Sequence, residues 1–244
     1  CKQLEREGTS KEELGREKFK ERIEQWYKEY KGTIIEQFKR MGYSCDWDRL
    51  TFTMDKKACD AVRHVFVHLY KKGWIYKGKR IVNWCPKCKS SISDAEVEFK
   101  DVPSHLWHIR YRIDGTNDYI EVATTRPETI LGDTAVAVNP NDDRYKSLVG
   151  KNVILPLVDK LIPIVADDYV EMDFGTGVVK ITPAHDPNDF EVGLRHGLEV
   201  IKVIGDDGHM NELAGKYQGL SREDARVKIV EDLKASGNLV KIED

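Results

Sequence analysis

The apolar period of this chain changes once, and the change limits what the chain can fold into. Up to Gly73 apolar side chains recur every three or four residues; beyond it they alternate in short runs broken by Gly, Pro, Asn and Asp. The first period is that of an amphipathic helix and the second that of a half-buried strand. The chain therefore reads as α+β, with helices at the front and a strand-rich body behind. Phe19, Ile23, Trp26, Tyr27 and Tyr30 form one stripe ahead of Gly32. A shorter helix is expected from Ile34, Ile35, Phe38 and Met41. A third runs from about Asp55 with Ala58, Val62, Val65, Phe66 and Leu69 inward, and Lys71, Lys72 and Gly73 suit its close.

In the body, residues 81–84 read as a strand leading into Cys85-Pro86-Lys87-Cys88. Trp107, Ile109, Tyr111 and Ile113 share a face of the next strand, with His108, Arg110 and Arg112 opposite. Asp114-Gly115 begins the turn to a partner at 119–123. Further runs lie at 134–138, 152–155, 161–165, 169–172, 178–182 and 200–204. Strands this short and numerous suggest a closed or half-closed β-barrel with decorating helices, and Pro163 belongs on an edge or a bulge. One helix has Asp186 as N-cap, Pro187 at N1, Asp189 at N3 and Gly197 as its stop. The last opens at Ser221 with Asp224 behind it, carries Val227, Val230 and Leu233, and ends at Gly237. The divisions expected are a helical segment 1–82, a CxxC stem 83–103 and a barrel domain 104–244.

Charge divides along the same line. Residues 1–90 hold 22 Lys and Arg against 13 Asp and Glu, a net +9, and residues 91–244 hold 17 against 29, a net −12. A basic front can lie against nucleic-acid phosphates or be a set of solvated helix faces; the acidic body cannot hold nucleic acid by charge alone. No apolar run approaches the roughly 18 residues of a membrane span, and no signal peptide is visible. Five cysteines, an odd number, argue for reduced thiols or metal and for the cytoplasm.

Two segments concentrate chemistry. In the first, Lys180 and Thr182 leave a strand on one face, and His185, Asp186 and Asp189 follow at a helix start. N–H groups there can hold an oxyanion and carboxylates an ammonium. Simpler roles stand beside these. Asp186 caps, Asp189 suits the helix dipole, and Lys180 can be a plain ion pair, worth about 0–1 kcal/mol at a surface. A histidine beside a helix start is more often structural than a base. In the second segment, Thr124, Thr125, Arg126, Pro127, Glu128 and Thr129 follow a strand, giving hydroxyls and a guanidinium fork for phosphate or carboxylate, or an ordinary turn. Gly175-Thr176-Gly177 is either a close-approach loop or a tight turn. Cys85 and Cys88 have zinc-knuckle spacing, but Cys1, Cys45 and Cys59 make no second pair. Walker, dinucleotide, Gly-x-Ser-x-Gly and His-Glu-x-x-His patterns are absent.

The runs 123–138 and 175–190 resemble the editing insertion of class I aminoacyl-tRNA synthetases, and Glu128-Thr129, Leu131-Gly132-Asp133-Thr134 and 180–189 resemble the valyl-tRNA synthetase branch. Asn83 to Cys88, Cys45-Asp46-Trp47 and 52–55 fit it too, so the likeness covers nearly the whole chain. It implies an editing barrel that hydrolyses threonine from mischarged valine tRNA, with the helical front adjoining a synthesis domain. Asp189 would hold the α-ammonium with Asp186 assisting. Thr124, Thr125, Thr129 and Thr182 would line the pocket, and Lys180 and Arg126 would meet the carbonyl, ribose or phosphate of the terminal adenosine. Water would attack, helped by a ribose hydroxyl or by His185. Editing implies no cofactor. ATP and Mg²⁺ belong to the full-length ligase, whose His-Ile-Gly-His and Lys-Met-Ser-Lys-Ser signatures this chain lacks. The Cys pair would be half a zinc site completed elsewhere. The tRNA 3′ end, threonine, valine and the remaining synthetase are the implied partners, with no membrane. An isoleucine- or leucine-type editing domain, a tRNA-docking module without hydrolysis, and a small zinc or redox protein are the alternatives.

Overall fold

The computed structural model describes residues 2–244 and divides into two compact units, one ending at Lys77 and one beginning at Gly78. The first unit holds α1 (Lys2–Arg6), α2 (Lys11–Arg40) and α3 (Lys56–Lys71). Ser10 and Glu13 form a capping box at the start of α2. The expected break at Gly32 does not occur, and the shorter helix after it is continuous with α2. A glycine inside a helix costs about 1 kcal/mol relative to alanine, too little to stop a run of good formers. The interruption falls instead at Gly15, whose φ of 72° is left-handed. In α3 the expected ends hold, but its apolar side chains do not point into a core: Val62, Val65 and Phe66 are exposed. Trp26, Tyr30 and Ile34 on α2 are exposed as well. Periodicity creates an apolar face but not the surface that covers it.

In the second unit, the strand expected at 81–84 shrinks to β1 (Trp84–Cys85), which pairs with β2 (Ser90–Ser91) in a small hairpin around the two cysteines. The barrel strands are β3 (Leu106–Ile113), β4 (Tyr119–Thr124), β5 (Ala135–Val138), β6 (Asn152–Ile154), β7 (Leu161–Ala166), β8 (Val178–Ile181) and β9 (Leu239–Glu243). Their order is β4-β3-β6-β7-β5-β8, with β9 added on β3. One edge of β3 pairs with β4 along most of its length. The other is divided between β9, at Leu106 to Ile109, and β6, at Arg112 and Ile113. β7 also changes partner, running antiparallel to β6 and then parallel to β5. Pro163 stands where the first ladder ends, so its missing N–H breaks neither. The end strands β4 and β8 pack together, and the mixed sheet is a nearly closed barrel.

Ile109, Tyr111, Val122, Val136, Val153, Ile162 and Ile164 fill its interior. His108 departs from the simple alternation: it is buried, with Nδ1 2.7 Å from Glu121. The runs at 169–172 and 200–204 are not strands, apart from a lone bridge between Ile204 and Met210. β9 was not expected from the sequence. Two further helices flank the barrel, α4 (Pro187–His196) and α5 (Arg222–Ala235). α5 buries Ala225, Ile229 and Leu233, at four-residue steps, while Val227 of the expected stripe is exposed and Val230 half-buried. Among the described residues no helix is long and apolar enough to cross a membrane.

Candidate active site

Because β4 lies beside β8, the segments that follow these strands converge. From β4 the chain enters a short 3-10 turn at Pro127–Gly132; from β8 it enters α4. Between them is a cleft of about 250 Å³ lined by Thr124, Thr125, Arg126, Thr129, Lys180, Thr182, His185, Asp186 and Asp189. All the side chains expected from the two segments are brought together there. Leu106, Ala123, Tyr169, Phe174 and Val179, which the sequence had not singled out, complete the lining.

α4 starts as expected. Asp186 Oδ1 accepts the N–H groups of Asn188 and Asp189 at 2.8 and 3.1 Å, and Gly197 ends the helix with a φ of 62°. The capping role thus occupies one oxygen of Asp186. Asp189 faces back toward β8, where its Oδ2 accepts the Thr182 N–H at 2.8 Å. No hydrogen bond among the described residues reaches its Oδ1. The side chain is buried, and burial raises its carboxyl to about 6, with Asp186 and Asp133 adding to the rise and the Thr182 N–H and Lys180 opposing it. A buried carboxylate with one open oxygen is suited to a cation brought by a ligand.

Lys180 proves to be an interior residue. Its side chain is 8% exposed, and Nζ donates to Thr129 Oγ1 at 2.8 Å, to Asp133 Oδ1 at 3.0 Å and to Thr182 Oγ1. Asp133 also accepts from Tyr111 Oη at 2.7 Å and from Thr182 Oγ1. Burial raises the Asp133 carboxyl, and Lys180 and the hydroxyls pull against that rise. Sequence reasoning missed this acid as a site residue, although it lies in the Leu131-Gly132-Asp133-Thr134 run, and it missed Tyr111, visible only as an inward strand position.

Arg126 reaches across the cleft mouth. Its Nη1 donates to the His185 carbonyl at 2.8 Å, and its Nε lies 3.4 Å from Glu128, yet 42% of the side chain is exposed. Glu128 is buried and bridged at 2.9 and 3.0 Å by Arg226 of α5. Its carboxyl stays below the usual range although burial acts to raise it, because Arg226, a backbone N–H and Arg126 outweigh burial. His185 Nε2 accepts the Val203 N–H at 3.0 Å. Burial and then Arg126 lower its imidazole to about 4. Its acceptor nitrogen is already occupied, so the ring is a neutral structural link and its lone pair is not available as a base.

The Gly175–Gly177 loop is a tight turn against the protein itself. Gly177 has a φ of 74°, and a Cβ there would meet the Arg144 guanidinium at 2.4 Å. Phe174, on the same loop, stands at the cleft rim and is 68% exposed. Away from the cleft, the Cys88 N–H points at Cys85 Sγ at 3.4 Å, and this and other contacts from 87–88 lower the Cys85 thiol. A thiol whose ionisation is eased, in a hairpin with a second cysteine, suits a zinc knuckle, but a structural site needs four ligands. Among the described residues no three His, Cys, Asp or Glu side chains come together to hold a metal.

A family model for tRNA synthetases class I (I, L, M and V) matches residues 1–206. Curated valine--tRNA ligases are similar to nearly all of the chain. That of Clostridium tetani (strain Massachusetts / E88) is 58% identical over 237 residues, 97% of this chain and 27% of its own length. That of Thermotoga maritima is 56% identical over 241 residues, 99% of this chain and 28% of its own. The chain thus spans little more than a quarter of the length of these relatives. A crystal structure of the ternary complex of Agrobacterium radiobacter K84 agnB2 LeuRS, tRNA and LeuAMS is 18% identical, covering 96% of this chain and 37% of that one, with a TM-score of 0.47. Since the family model spans most of the residues that build both the helical unit and the cleft, this chain belongs to the class I tRNA synthetases (I, L, M and V).

Proposed function

We propose that the cleft hydrolyses an amino acid wrongly esterified to the 3′ end of tRNA. In the whole enzyme it would clear threonine from valine tRNA, and from threonyl-adenylate, acting in cis or on tRNA released in trans. The observation that carries the reading is the open oxygen of buried Asp189 beside the hydroxyls of Thr129 and Thr182. The α-ammonium of the bound amino acid docks on Asp189, with the free oxygen of Asp186 nearby. Its side chain then faces the threonines. Arg126, half-exposed at the mouth, suits a phosphate, and the rings of Phe174 and Tyr169 offer faces on which the terminal adenine can stack.

Water attacks the ester carbonyl. A bond forms from its oxygen to the carbonyl carbon, the bond to the ribose oxygen breaks, and that oxygen leaves with a proton. The Val203 N–H already occupies the His185 lone pair, so the neighbouring ribose hydroxyl is the relay in this scheme. Hydrolysis in this scheme uses no cofactor. ATP and Mg²⁺ would serve the synthesis half of the full-length ligase. Cys85 and Cys88 would give two of a zinc ion's ligands.

The need for such a site is physical. An apolar pocket rejects an added hydroxyl by only about 10²-fold, a figure long established for this very choice between valine and threonine, so a second site that bonds the hydroxyl must supply the rest. Identities of 58% and 56% to valine--tRNA ligases favour the valine branch over the isoleucine and leucine ones. The cytoplasm is the compartment proposed for this work, since an odd set of thiols without a disulfide framework suits a reducing environment.

The test is release of threonine from threonine-charged valine tRNA, with the valine-charged tRNA alongside. Threonine should be freed and valine spared. Asp189→Ala should slow release by about a hundredfold or more while the circular dichroism spectrum is kept, because an ammonium would lose its partner in a buried place. Full activity in that variant would remove Asp189 from the assignment.

A further inference from the structure

The protons around Lys180 carry an inference that rests on the reading of the cleft as an aminoacyl-ester hydrolase and specifies how it selects. An ammonium only donates, and carbonyl and ionised carboxylate oxygens only accept. The three protons of Lys180 therefore go to Thr129 Oγ1, Asp133 Oδ1 and Thr182 Oγ1. Thr129 Oγ1 lies 3.0 Å from the Arg126 carbonyl oxygen and must give its own proton there. Thr182 Oγ1 lies 2.5 Å from Asp133 Oδ1 and must give its proton to that carboxylate. Each hydroxyl has now spent its proton and accepted one from Lys180, so each keeps a single lone pair. Asp189, whose Oδ1 is open, adds a further acceptor on the same wall.

We propose that Asp133 is a positioning residue that makes this wall of the cleft acceptor-only, so that the site takes side chains with a proton to donate and rejects isosteres without one. Asp133 is fully buried and takes no part in lining the cleft; it acts through Thr182 and Lys180, and Tyr111 holds its second oxygen. Threonine brings an O–H where valine brings a methyl group. The same wall distinguishes threonine from a near-isostere bearing fluorine there, which has no proton to offer. Thr124 differs from these two hydroxyls: its Oγ1 accepts the Arg126 N–H and keeps its proton free. An asparagine at 133 both donates and accepts. Thr182 could then take a proton from it and turn its own toward the cleft, undoing the polarity.

The experiment uses the whole 244-residue chain and two non-hydrolysable adenosine amides, one of threonine and one of 2-amino-3-fluorobutyrate, together with the corresponding esters on valine tRNA. The wild type should bind the threonine amide about tenfold or more tighter and hydrolyse its ester with the same preference, the value of about one hydrogen bond. Asp133→Asn should bring the preference close to one. Tyr111→Phe, which keeps the packing, should reduce it partway, and serves if the asparagine variant does not fold. A merely structural Asp133 would lower stability and leave the preference unmoved, which would overturn the proposal. Equal handling of both amino acids by the wild type would overturn it while leaving ester hydrolysis standing. Preferential binding without hydrolysis would sustain the polarity and remove the hydrolase reading. Binding of neither amide would remove both.

Discussion

At the scale of single residues, Asp189 and His185 put opposite pH dependences into one cleft. Asp189 titrates at about 6 when folded against 3.8 for the free group, because burial disfavours its charge. Between those values the folded protein holds the proton more tightly, so this group's contribution to stability is present below pH 3.8 and is lost as pH rises through 6. A difference of that size corresponds to about 3 kcal/mol. Asp189→Asn is therefore expected to raise Tm by several degrees at pH 7 and to leave it unchanged near pH 3, as scanning calorimetry would show. The same titration acts on function: as Asp189 gains a proton it stops holding an ammonium, so kcat/KM for threonyl ester should fall below about pH 6. His185, lowered from 6.5 to about 4, stabilises fully above pH 6.5 and loses that contribution as pH falls through 4. Replacing it with a neutral acceptor such as Gln should remove that acid-side loss without moving the activity limb, because its ring takes no proton from substrate.

At the scale of elements, α4 is anchored at both ends, with a carboxylate suited to its dipole at the start and the Arg195 guanidinium at the close. Its N-terminus has Asp186, and its last turn has Arg195 and His196, which converge on Asp167 at 2.8–3.1 Å. Burial acts to raise Asp167, but hydrogen bonds from Arg195, the Tyr169 N–H and His196 outweigh it and lower the carboxyl to about 2. The sign is now the reverse of Asp189: this contribution is present above pH 3.8 and lost as pH falls through 2. Arg195 is half-exposed, so solvent screens part of the pairing, and Asp167→Asn should cost about 1–2 kcal/mol at pH 7 and only a small part of that at pH 2. Urea unfolding at the two pH values checks this. Gly193 lets the middle of the helix rest on Pro183, where a Cβ would come within 2.9 Å of the ring. The chain signals for α4 were legible because caps, Pro at N1 and a left-handed Gly act over one turn. Asp167, about thirty residues away along the chain, left no such local signal.

At the scale of the molecule, the two units differ in how they use their apolar residues. The barrel unit encloses a continuous core, whereas among the described residues of the helical unit only Leu4 is a buried apolar side chain. Residues 78–244 are expected to fold alone and to keep the cleft, with a cooperative thermal transition and threonine release like those of the whole chain. The helical unit by itself should bind a hydrophobic dye strongly, because α2 and α3 leave Trp26, Ile34, Val62 and Phe66 uncovered. A truncated barrel that melts without cooperativity would contradict this division.

The signals legible along the chain are local ones. The change of period set an α+β chain with the strands behind, the cap residues set α4, and the two chemistry-bearing runs named nine of the side chains that line the cleft. Each of those signals acts between residues a few positions apart. The tertiary structure alone decided that β4 lies beside β8, that β3 and β7 each change partners along their length, and that β9 joins the sheet. It also decided the chemistry of individual atoms. Lys180 is committed to Thr129, 51 positions away, and to Asp133, 47 positions away, and the lone pair of His185 is taken by the Val203 amide. Hydrogen-bond direction follows from which donor meets which acceptor, and across such distances that meeting is fixed by strand register and barrel closure rather than by any spacing along the chain.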